Sequence, residues 1–112
     1  MATPRKEQIA RNESVFRNLN ERLEENVERR RSDADLAGFL CECGDADCEA
    51  IVRLDLATYE EIRRDPLQFF VVAGHEMADA EDIVAEAAGH LVVRKHKDVA
   101  DIAVDGDARS RG

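Results

Sequence analysis

Apolar residues recur at Ile9, Phe16, Leu19, Leu23 and Val27 within a stretch that is mostly charged or polar. The spacing is that of one stripe on a helix. Thr3 can cap such a helix, and Pro4 suits its first position, where an N–H is not needed. Glu7–Arg11, Glu13–Arg17 and Glu25–Arg29 are four apart with the acid first, the order that supports a helix. The pattern predicts one helix from 4 to about 30, on the order of 40 Å long at 1.5 Å per residue. That outreaches a small domain. The stripe is narrow and its flanks are charged, so part of it is expected to meet a protein partner or a second copy of the chain. Asn12 and Asn20 have no evident role in this pattern.

After a polar break at 32–35 the period changes. Residues 37–41 lead through the turn formers Gly44, Asp45 and Asp47 into a β-branched run over 50–54, a hairpin or knuckle. Asp55 can cap a helix over 56–64, with Tyr59 and Ile62 inward, and Asp65-Pro66 ends it. A strand over 68–73 stops at Gly74-His75. Asp79 is placed to cap a helix over 80–88 with Ile83, Val84 and Ala87 on one face and Gly89 beyond its end. A last strand covers 90–95, and a small polar tail follows from 104. The expected fold is α+β: a long N-terminal helix (1–31), a small zinc-stapled domain with a short antiparallel sheet and two short helices (32–103), and a flexible tail (104–112). Its core should contain Phe39, Val52, Leu54, Tyr59, Ile62, Phe69, Val71, Ile83, Leu91 and Val93.

Composition narrows the function. The chain has 112 residues and a net charge of -9, with four Phe, one Tyr and no Trp, so its core must be modest. Residues 5–31 carry eight basic against six acidic side chains, +2. The remaining eight basic against nineteen acidic give -11. So acidic a body repels phosphate backbones and argues against nucleic-acid binding. Arg29, Arg30 and Arg31 read as a basic helix end, with contact to a phosphate or an acidic partner as the alternative. No apolar run is long enough for a bilayer, and no apolar segment follows the N-terminus as in a signal peptide; both point to a cytoplasmic protein.

All three cysteines fall within eight residues, as Cys41-x-Cys43-x4-Cys48 around the Gly/Asp turn. Thiolates on a tight turn can converge on one Zn²⁺. A fourth ligand must come from His75, His90 or His96. His75 follows Gly74 at the end of a strand, where the chain bends, whereas His90 and His96 read as surface residues. The expected site is therefore Cys41, Cys43, Cys48 and His75, with zinc structural and the protein non-enzymatic. Glu42, Asp45, Asp47 and Glu49 should raise the thiol pKa values and favour a cation, with backbone N–H groups near Gly44 steadying the sulfurs. His75-Glu76 is only the start of a His-Glu-x-x-His helix, and Asp79 stands where its second His belongs. The deaminase, Walker and Gly-x-Ser-x-Gly patterns are absent too. Two alternatives stay open: a thiol redox sensor that releases zinc on oxidation, and a metal-dependent hydrolase with an open coordination position.

Arg11-Asn12-Glu13, Phe16-Arg17, Asn20-Glu21-Arg22, Phe39-Leu40-Cys41-Glu42-Cys43, Cys48, Tyr59-Glu60-Glu61-Ile62-Arg63, Phe70-Val71-Val72, Gly74-His75 and Leu91-Val92-Val93 together resemble a group of small uncharacterised proteins common in actinobacteria. The similarity spans roughly 11–95. It implies the same pairing of the cysteines with the histidine after Gly74; the group carries no assigned activity. The chain departs from the group at Ala73, where Pro is frequent, and at His90, where an aromatic or polar residue is usual.

Overall fold

A computed structural model describes residues 3–28, 36–87 and 89–107, with only the backbone for 26–28. The fold is α+β, with small antiparallel sheets and short helices behind a long N-terminal helix. That helix, α1, spans Pro4–Glu28. Thr3 Oγ1 accepts from the Lys6 N–H at 3.2 Å, as its capping role requires. The polar break at 32–35, the basic triplet at 29–31 and the side chain of Val27 lie outside the described residues.

Strands β1 (Ala37–Leu40) and β2 (Ile51–Leu54) form the expected hairpin, with Phe39 opposite Val52. Helix α2 (Leu56–Arg63) starts at Asp55, whose carboxylate accepts from the Thr58 N–H at 2.7 Å. A second sheet has the order β3-β5-β4, from β3 (Gln68–Val71), β4 (Glu81–Ala87) and β5 (His90–Lys95). A 3₁₀ turn (Lys97–Val99) and helix α3 (Ala100–Asp105) complete the chain.

Several expectations need correction. Residues 81–87 form a strand, not a helix: Ile83, Val84 and Ala87 suit either period, and pairing with the apolar β5 decides for the strand. Gly89, with φ of 85°, closes the β4–β5 hairpin instead of capping a helix, and Asp79 accepts a hydrogen bond from Arg5. The second short helix is α3. Because β4 is an edge strand with a bulge between Ile83 and Ala85, Ile83 is 46% exposed and leaves the core. His90 is buried, not a surface residue. The tail expected from 104 begins inside α3, and Asp107 is buried; residues 108–112 lie outside the described ones.

The rest of the expected core is buried, and Leu56, Phe70 and Val92 join it. At its centre Phe39 stacks on Tyr59 with centroids 4.5 Å apart, and Phe70 meets both rings edge-on. Helix α1 lies across β1, the 3₁₀ turn and α3. Its inner face is mostly polar. Glu13, Arg17 and Asn20 are fully buried, while Leu19 is 39% exposed and Val15 59%. Of the apolar stripe, Ile9 is buried, and Phe16 and Leu23 are half-buried. The three buried polar residues all find partners. Lys95 Nζ donates to Glu13 at 2.5 Å and to Glu81 at 3.0 Å. Arg17 donates to the carbonyls of Pro66 and Ala103, each at 2.6 Å, and lies 4.3 Å above the Phe69 ring.

Candidate metal centre

The β1–β2 hairpin keeps its hydrogen bonding past the ends of its strands. Cys41 N–H donates to Ala50 carbonyl at 2.9 Å, and Cys48 N–H to Asp45 carbonyl at 3.1 Å. The loop between is thus folded back so that the three sulfurs share one end of the hairpin. Asp45 tightens it by accepting from the Asp47 N–H at 2.9 Å, an Asx turn.

His75 comes from the other sheet. After β3 the chain reverses at Gly74, whose φ of 96° is readily adopted only by glycine. The His75 N–H then donates to Val72 carbonyl at 2.9 Å. A separate bond fixes the two sheets together: Glu42 N–H donates to Phe70 carbonyl at 2.9 Å.

One ligand atom from each of Cys41, Cys43, Cys48 and His75 lies within 4.8 Å of all the others. His75 Nδ1 is 3.6 Å from Cys41 Sγ and 3.5 Å from Cys48 Sγ. With Zn–S near 2.3 Å and Zn–N near 2.0–2.1 Å, adjacent sulfur and nitrogen corners of a tetrahedron stand roughly 3.5 Å apart. The donor set and its spacing suit a four-coordinate divalent ion. His90 and His96 take no part. His90 lies on β5 opposite Ala87, and His96 Nε2 is 3.1 Å from Asp82.

Burial pushes the thiols of Cys41 and Cys43 up, Cys43 to about 11, and the neighbouring thiols add to the rise. Opposing it, the Val72 N–H donates to Cys41 Sγ at 3.2 Å, and a backbone hydrogen bond at Asp45 acts likewise on Cys43. Cys41 and Cys43, crowded and buried, are poor nucleophiles on their own. A dication among them reverses that balance, because its charge stabilises the thiolates. Beside the site a shallow cleft of about 230 Å³ is lined by Cys43, Asp45, Gly74, His75, Glu76 and Met77.

Several residues that hold this geometry are not obvious from the sequence. Extended backbone alternates its side chains, so Glu42 points away from the direction shared by Cys41 and Cys43. It is fully buried, and its carboxylate accepts from Arg63 Nη2, from Asn20 Nδ2 at 2.8 Å and from the Phe70 N–H at 3.3 Å. The acidic residue between the two cysteines therefore serves the interior instead of the metal. A Cβ on Gly44 would come within 2.5 Å of Ile9 Cγ2, so α1 sits directly on the loop. Only the Cys-x-Cys alternation hinted at a residue facing inward at 42.

Comparisons with protein-family models, curated proteins and solved structures find no match to this chain. No helix among the described residues is long and apolar enough to cross a membrane.

Proposed function

We propose that the chain is a non-enzymatic interaction or regulatory module in which Cys41, Cys43, Cys48 and His75 hold one structural Zn²⁺. The observation that carries this reading is the convergence of three sulfurs and one ring nitrogen within 4.8 Å, contributed by loops at the ends of two different sheets. Zinc accepts this sulfur-rich tetrahedral set without geometric preference of its own. Four protein ligands leave no open position for substrate or water, which favours a structural over a hydrolytic centre. An ion there bridges the hairpin to the β3 sheet and adds folding free energy that so small a core lacks. The outward residues of α1, Val15 and Leu19 with the half-buried Phe16, then offer a face to a protein partner or a second copy. Ile9 contributes to the seat on the body instead. Reduced, clustered thiols suit the cytoplasm.

The test is metal analysis of the purified full chain together with melting in and out of chelator. One zinc per chain and a clearly lower Tm after chelation are expected; metal-free protein whose melting ignores chelator overturns the reading. The redox-sensor alternative draws on one observation, the shallow cleft lined by Cys43 and His75. It predicts zinc release within a few equivalents of peroxide, and zinc retained through a large excess ends it.

A further inference from the structure

Resting on that metal reading, we propose that docking of α1 and occupancy of the Cys41–Cys43–Cys48–His75 site are coupled, making α1 a regulatory arm whose hold on the body depends on the metal. The segment from Leu40 to Gly44 carries both functions. Two of its side chains, Cys41 and Cys43, supply sulfurs. Its other groups form the seat of α1.

Asn20 on α1 acts toward β1 as a neighbouring strand would. Its Oδ1 accepts from the Leu40 N–H at 2.7 Å, and its Nδ2 donates to the Leu40 carbonyl and to Glu42, both at 2.8 Å. Two turns earlier, Asn12 Nδ2 donates to the Gly44 carbonyl at 2.8 Å, and Ile9 packs on Gly44 too closely to admit a Cβ. The backbone on both sides of Cys41-Glu42-Cys43 is thus pinned by α1, although no residue of α1 belongs to the ligand set. An ion fixes the positions of Cys41 and Cys43 and with them the carbonyls and the carboxylate that α1 binds. Releasing the ion lets the loop relax and weakens these contacts. Coupling of this kind is reciprocal: whatever the metal does for helix docking, docking does for metal affinity.

Helix α1 also supplies its own control. Asn18 Nδ2 donates to the Gly106 carbonyl at 3.0 Å, on the α3 side and away from the metal loop. The experiment is a zinc competition titration of the full chain against a chromophoric chelator, for wild type, Asn12→Ala, Asn20→Ala and Asn18→Ala. Wild-type amide exchange is measured alongside, with zinc and after stripping. Asn12→Ala and Asn20→Ala are expected to weaken zinc binding at least fivefold, and Asn18→Ala, which loosens α1 on α3 without touching the loop, by less than either. Protection of amides over 9–24 should fall at least tenfold on stripping. Should Asn20→Ala fail to fold, Asn12→Ala and the exchange data still decide. Zinc bound one to one, with unchanged affinity in both loop-facing variants and unchanged exchange in α1, overturns the coupling and leaves the metal site standing. A wild type that binds no zinc overturns both.

Discussion

The hairpin strand β1 is covered from two directions by residues of equal burial and opposite chemistry. Toward α2 it meets an aromatic cluster in which Phe39, Tyr59 and Phe70 are wholly buried. Toward α1 it meets Asn20, and next to it on the same helix lie Arg17 and Glu13, equally buried and all polar or charged. The apolar side stabilises by area and tolerates small displacements. The polar side adds little net energy per bond, but each bond has one geometry and an unmet partner is costly. This division lets one side hold the domain together while the other fixes where a long helix sits, residue by residue, on the loop of the sulfurs.

Truncation on the apolar side should have the largest effect. Phe39→Ala removes one ring of the stacked pair and leaves a cavity, and a loss of about 3–5 kcal/mol is expected in denaturant unfolding of the zinc-loaded protein. A loss under 1 kcal/mol breaks the contrast, because the cluster then carries no more than a surface residue. On the polar side, Lys95→Met leaves Glu13 and Glu81 buried without their cation. We expect about 3 kcal/mol, approaching the aromatic truncation although the residue lies outside the aromatic cluster. Hydrogen exchange should place the loosened region in α1 and β4 while the amides of β3 keep their protection.

A subtler test uses pH. Burial and the adjoining Glu81 raise the carboxyl of Glu13 well above its ordinary value, against the opposing pull of Lys95. Burial and the neighbouring acid thus favour the neutral form of Glu13. A raised native value means that this contribution to stability is fully present below pH 4.5, the unfolded value. It is lost as the pH climbs through the native one. Glu13→Gln mimics the protonated form. It should therefore gain on wild type as pH rises from 5 to 8, by at most about 1.4 kcal/mol per pH unit. Parallel stability curves for the two proteins would show that Glu13 is ionised throughout.

The same contrast explains what could be read from the sequence. The sulfur cluster was legible because its members are close along the chain and surround a turn, and His75 because Gly74 marks a reversal. The hairpin, α2 and β3 were legible because their apolar residues face the interior. The orientation of α1 was not. The spacing from Glu13 to Arg17 to Asn20 is as helical as the apolar spacing, but the side chains are those usually assigned to solvent. Reading the apolar stripe as the buried face rotates the helix away from its true seat. The partners that make such burial possible, Lys95, Pro66, Ala103 and Leu40, are distant in sequence and invisible to any local pattern. Strand β4 failed for a related reason: it is exposed on both faces apart from Glu81, so it carries no alternation to set against a helical reading.

The smallest expected effect falls on the outer side of α1. Leu19 is 39% exposed and Val15 59%, so Leu19→Asp should change the stability of an isolated chain by no more than about 0.5 kcal/mol. That near-silence is informative beside Asn20→Ala one residue away, which severs three hydrogen bonds to β1 and Glu42. If a second copy covers this outer face, Leu19→Asp buries a carboxylate in the contact, and the light-scattering mass drops to that of one chain with folding unchanged. A wild-type mass already equal to one chain, and unaltered by the substitution, removes self-association and leaves the face to a different protein. A large loss of folding stability instead would mean that Leu19 packs inward, contradicting the polar seat on which the comparison rests.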